Sequence, residues 1–246
     1  MFEILVNAQK VCKSWHRVSK DPSIWRKFDI QIYKQGYKLN KNRQDYHWDS
    51  LCRHVVDRSQ GGLLEINLRN YCSDSLLSYI ADRSSNLRSL AFKMYYRVTN
   101  EGLVNAVTKL PLLEELEVSY PMIKLNLKAI GHSCPKLKTL KLIFSCFKTR
   151  RRRENCAAIE IAESMPELRH LQLLGNGLTN TGLNAILDCC SHLEHLDLRR
   201  CLNINLVGDL DERCSEMIKV LRRLDDSTDD CPFNVDIDSD VSFFPS

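Results

Sequence analysis

The sequence has no apolar run approaching the roughly 18 residues that a membrane-spanning helix needs. Its opening, Met1 to Trp15, lacks the basic start, apolar stretch and small-residue cleavage site of a secretion signal. A cytoplasmic or nuclear protein that engages no membrane is the expectation. There is no excess of glycine or proline, nine and seven in 246 residues, and with 43% hydrophobic and 27% charged residues the chain is an ordinary globular protein of one or two units. Eleven cysteines are present, but the count is odd and no CxxC pair occurs between Cys12 and Cys231. That excludes a disulfide scaffold and leaves buried thiols. The adjacent Cys189 and Cys190 do not supply the paired spacing of a structural zinc site, so no metal is expected. A net charge of +4 without a concentrated basic face argues against nucleic acid as a partner. Also missing are G-x-S-x-G, a phosphate-cradling glycine loop, H-E-x-x-H, and any Cys, His and Asp set that spacing would unite. No catalysis and no cofactor is the reading.

What is there is a recurring segment with apolar residues at its first, fourth and sixth places. It appears as Leu63-x-x-Ile66-x-Leu68, Leu87-x-x-Leu90-x-Phe92, Leu113-x-x-Leu116-x-Val118, Leu137-x-x-Leu140-x-Leu142, Leu168-x-x-Leu171-x-Leu173 and Leu193-x-x-Leu196-x-Leu198. The starts are separated by 24, 26, 24, 31 and 25 residues. Alternation places the fourth and sixth residues on one face of a short strand, which neighbouring units must cover. Between the strands, helical spacing recurs over 75–81, 101–107, 127–131, 157–162 and 182–187. Each unit is then a strand and a helix.

This pattern resembles the cysteine-containing class of leucine-rich repeats. Val98-Thr99-Asn100-Glu101-Gly102-Leu103 and Leu178-Thr179-Asn180-Thr181-Gly182-Leu183 stand at the turn into the helix, Cys134-Pro135-Lys136-Leu137 at the join to the next strand, and Asn176 and Cys201 after the strand. Tyr71, Tyr95, Pro121 and Ser145 depart from the Cys or Asn usual there. The implied fold class is α/β, a solenoid of about six strand-helix repeats.

Upstream, Val11-Cys12-Lys13-Ser14-Trp15 followed by Asp21-Pro22-Ser23-Ile24-Trp25 resembles the second half of an F-box, and helical spacing there suggests two helices joined by a tight turn. The whole chain is therefore similar to plant-type F-box/leucine-rich-repeat proteins, substrate receptors of Skp-cullin-F-box ubiquitin ligases. The resemblance implies a Skp-type adaptor and, through it, a cullin as partners, with Leu5, Val11, Cys12, Trp15, Pro22 and Trp25 on the adaptor side. Trp15 and Trp25 serve equally well as core of the small helical unit. The Leu-Pro signature and first helix of an F-box do not appear, so either the sequence is part of a longer parent or tight adaptor binding is lost. A repeat scaffold or decoy that recruits no ligase is the alternative function. The expected layout is a partial F-box over 1–29, a linker and capping helix over 30–59 (the helix at 48–56), repeats over 60–224, and an acidic, disordered tail over 225–246.

In a leucine-rich repeat the polar strand places line the concave side. Glu117, Tyr120, Lys141, Ile143, Phe144, His170, Gln172, Leu174, His195, Asp197 and Arg199 are the candidate contacts to a target protein, with Ile143, Phe144 and Leu174 as apolar anchors where a merely solvated face would be polar. Alternatively, Ile143 and Phe144 pack beneath the long insertion that follows them. His170 and His195 occupy equivalent places on adjacent strands, but two ligands alone make a poor metal site, and they read as solvated. The basic run over 148–153 is an import signal, an acidic partner's patch or a charged loop.

Overall fold

In the computed structural model, the residues described are 17–18, 20–29, 41–68, 71–94, 97–121, 123–144 and 154–231. The chain divides into two compact units, residues 1–140 and 141–246.

In the first unit the strands β1 (Lys27–Asp29), β2 (Glu65–Leu68), β3 (Ser89–Lys93) and β4 (Glu115–Ser119) pair in parallel, in chain order. Their register sets Phe28, Ile66, Leu90 and Leu116 in one row, all buried. Leu68, Phe92 and Val118 are buried two places on, and Leu63, Leu87 and Leu113 at each segment's start. The first-fourth-sixth pattern is thus one apolar ladder, each full burial being worth about 1.5 to 3 kcal/mol. Helices α1 (Lys41–Ser59), α2 (Asp74–Arg83), α3 (Asn100–Val107) and α4 (Leu127–Ser133) return the chain between strands. Helix α1 begins seven residues before the expected capping helix and joins α2 through Tyr79. The Tyr79 hydroxyl donates to Asp57 at 2.6 Å while the Arg53 and Arg83 guanidinium carbons lie 4.4 and 3.9 Å from its ring centroid.

The second unit repeats the plan with the end of β5 (Thr139–Ile143), then β6 (His170–Gln172), β7 (His195–Asp197) and β8 (Val220–Arg222), separated by α5 (Cys156–Ser164), α6 (Asn180–Cys189) and α7 (Asp209–Met217). β6, β7 and β8 pair in parallel. No helix among the described residues is long and apolar enough to cross a membrane.

The turns into the helices explain their sequence motif. Thr99 caps α3 by accepting from the Gly102 amide at 2.9 Å, and its own amide and hydroxyl donate to Asp74, at the start of the previous helix, at 2.9 and 2.7 Å. The same device recurs one repeat on, where the Asn126 amide donates to Asn100 at 2.7 Å. In the second unit the Thr179 amide donates to Asn155 at 2.9 Å and the Asn205 amide to Asn180 at 2.8 Å. A Cβ on Gly102 would sit 2.0 Å from Asp74 Oδ1, and one on Gly182 2.6 Å from Asn155 Oδ1. Glycine is required there by close approach, not by a turn angle.

Cysteines after the strands and at the joins have an equivalent role. The Cys201 thiol donates to the Leu173 carbonyl at 2.9 Å and Cys190 to Met165 at 3.6 Å, each in the preceding repeat. Burial pushes the Cys52 and Cys134 thiols up to about 12 and Cys190 up to about 11.

The outer elements differ from the expected pair of helices and disordered tail. After a 3-10 turn (Pro22–Trp25), capped by Asp21 accepting from the Ser23 amide at 2.9 Å, the chain enters β1 rather than a second helix. At the other end order extends past 224: residues 225–231 are held by hydrogen bonds, and only 232–246 lie outside the described residues. The basic run over 148–153 also lies outside them.

Candidate functional site

The candidate residues fall in two regions. At the start of the chain, Leu5, Val11, Cys12 and Trp15 lie outside the described residues, while Pro22 opens the 3-10 turn. Trp25 is 3% exposed and meets His54 of α1 edge-on, with ring centroids 6.2 Å apart. It fills the junction between the turn and α1.

The second region is the polar strand face. In the first unit, Glu117 is only 3% exposed and accepts from the Ser119 hydroxyl at 3.3 Å. Tyr120 takes a positive φ of 55°, its ring 4.6 Å from the Lys93 ammonium. Lys27 pairs with Glu65 at 2.6 Å on the neighbouring strands.

The remaining candidates belong to the second unit. Lys141 and Phe144 are half-buried, and the Phe144 amide donates to the Leu174 carbonyl at 2.9 Å. His170 and His195 are register partners whose rings stack 4.2 Å apart at 20°. Next along the strands, Gln172 donates to Asp197 at 3.0 Å, and Asp197 receives Nε and Nη2 of Arg199 at 3.0 and 2.7 Å. Arg199, 2% exposed, also donates to the Ser227 carbonyl at 2.5 Å and to the Asp230 carboxylate. Asp230 receives Arg222 at 2.9 Å on its other oxygen. Its hydrogen bond to Asp197 raises the Arg199 guanidinium above its ordinary range, and the bond from Arg199 holds the Asp230 carboxyl below its own.

The expected apolar anchors are not open. Ile143 and Leu174 are 2% and 0% exposed and form a small core against which Cys231 packs. Among the described residues, the segment that packs on them is the start of the acidic tail. Sequence reasoning therefore missed Arg222, Asp230 and Cys231. The available signal was the abrupt change from Arg222-Arg223 to a run of aspartates, a basic edge facing its own counter-charge. Among the described residues no group of three or more His, Cys, Asp and Glu side chains is placed to hold a metal ion.

Comparison with known proteins bears on the family of the chain. A family model described as F-box-like matches residues 2–31. F-box/LRR-repeat protein 23 of Arabidopsis thaliana is 59% identical over 236 residues, covering 92% of this chain and 50% of its own length. In the same organism, F-box/LRR-repeat protein 21 is 54% identical over 94% of this chain and 78% of its own, and F-box protein SKIP19 is 53% identical over 97% and 76%. The chain thus spans half the length of the first of these relatives and about three quarters of the other two.

Proposed function

This chain belongs to the F-box/leucine-rich-repeat family, and from that premise we propose that it is the substrate-recognition subunit of a Skp-cullin-F-box ubiquitin ligase. The F-box-like segment docks a Skp-type adaptor, the adaptor reaches a cullin, and the repeats hold a target protein. Such a subunit works without chemistry of its own. It raises the effective concentration of the target beside a ubiquitin-charged enzyme.

The observation that carries this reading is the F-box-like match at 2–31 together with strand-helix repeats that pair in parallel register within each unit. Residue 29 is still in β1, the first strand of the repeat sheet. The F-box-like segment is therefore continuous with the sheet of the first unit. Trp25, buried against α1, belongs to that junction. We place the protein in the cytoplasm or nucleus, where ligases of this class act.

Co-precipitation with a Skp-type adaptor and a cullin from plant extract tests the reading, run beside a version completed with the Leu-Pro half of an F-box. Recovery of both ligase components by this chain supports it. Recovery by the completed version alone makes this chain a repeat scaffold or decoy.

A further inference from the structure

On the strand face of the second unit, one segment of the chain already sits where a target is expected. Residues 225–231 carry four carboxylates, Asp225, Asp226, Asp229 and Asp230, and end on a thiol. Three contacts fasten them. The Asp230 carboxylate is gripped between Arg199 and Arg222, one oxygen each. Arg199 also takes the Ser227 carbonyl at 2.5 Å. Cys231 closes over Ile143 and Leu174.

The backbone of this strap is folded on itself. The Asp226 amide donates to Arg223 at 3.2 Å, Asp229 to the Ser227 hydroxyl at 3.1 Å, and Cys231 to Thr228 at 2.9 Å. The strap is bonded to the neighbouring strands through arginine side chains, the Arg223 backbone and one apolar contact, whereas the backbone bonds to the preceding repeat end at the Leu224 carbonyl, which accepts from Arg200 at 3.0 Å. The Asp230 side chain is 52% exposed, so solvent partly screens its ion pairs, more to Arg222, 42% exposed, than to Arg199, 3% exposed. Removing the strap breaks no strand pairing. It would uncover two guanidiniums beside an apolar floor, a combination of charge and anchor suited to a peptide.

We propose that residues 225–231 are an internal occupant of a peptide site formed by Ile143, Leu174, Arg199 and Arg222, and that the partner segment displacing them presents an acidic side chain followed by a small apolar one. The partner's carboxylate takes the place of Asp230 and its apolar side chain that of Cys231. Asp197 stays bonded to Arg199 throughout, holding the guanidinium in position and leaving Arg222 as the main unneutralised charge. This assignment deepens the receptor reading and rests on it for the identity of the partner as a target.

The test uses the full chain and Asp230→Asn, which loosens the strap, with a fluorescent peptide of residues 225–231 as probe. The variant is expected to bind the peptide at least tenfold more tightly than the native chain, whose site is filled. Adding Arg222→Gln, or replacing the peptide's last aspartate by asparagine, should abolish that gain. No binding to D230N, or equal binding of acid and amide peptides, overturns the proposal. Site-resolved alkylation guards against simple unfolding: Cys231 should react faster in D230N while Cys201 and Cys214 stay protected. Opening of all three would make the strap an integral end cap and also overturn the proposal. Co-precipitation with the adaptor is run in parallel. Its failure with peptide capture intact sinks the receptor reading alone.

Discussion

Gly102 has no Cβ because Asp74 occupies the space, and Asp74 is there because it satisfies both the amide and the hydroxyl of Thr99. Gly102→Ala should therefore destabilise the fold by about 1 to 3 kcal/mol, through loss of that pairing rather than through helix propensity, which favours alanine. Denaturant midpoints for G102A, Asp74→Ala and the double variant check this. The two single costs should overlap instead of adding. Thiol chemistry at this scale is equally specific. Cys156 and Cys189 are exposed, while burial raises Cys52, Cys134 and Cys190 far above neutrality. Alkylation at neutral pH followed by peptide mapping should mark the first two and spare the other three until the protein unfolds. Asp230 supplies a pH dependence. Its carboxyl lies below the usual aspartate value in the folded state, so its contribution is complete above that value and is lost as pH falls through the lowered one. The protection factor of the Cys231 amide, its exchange rate divided into the intrinsic rate at each pH, should be unchanged between pH 7 and 5 and should fall below about 4.

At the scale of elements, six strands and the helices between them were legible, because an apolar residue at the first, fourth and sixth places has to be covered by the next repeat. The two outer strands were not. β8 comes from Ile218-x-x-Leu221-x-Arg223, where an arginine stands at the sixth place and breaks the apolar pattern. β1 follows from Trp25-x-x-Phe28-x-Ile30, which does keep the pattern but was absorbed into the F-box resemblance. The candidate site was legible as a set of polar strand places, and the stacking of His170 on His195 matches the predicted adjacency. Its burial was not legible, since alternation cannot reveal that a segment 57 residues after Leu174 returns to cover it. The same elements make Trp25→Ala costly. A buried aromatic against α1 and next to β1 should lose about 3 to 5 kcal/mol on truncation, read as a lowered unfolding midpoint. Trp25→Phe should recover most of it, and it separates folding from adaptor contact when both variants are assayed for adaptor binding.

For the whole molecule, family membership supports the proposed account, in which an F-box-like segment docks an adaptor and the repeats hold a target. The chain covers about three quarters of F-box/LRR-repeat protein 21 and half of F-box/LRR-repeat protein 23, so what it does by itself is a question for direct binding. Calorimetric titration of the purified chain with a purified Skp-type adaptor answers it. The account predicts saturable binding at one adaptor per chain, weakened when residues 1–26 are removed. A chain that is folded by its thiol protection pattern yet yields no binding heat, at several temperatures and adaptor concentrations, would contradict it.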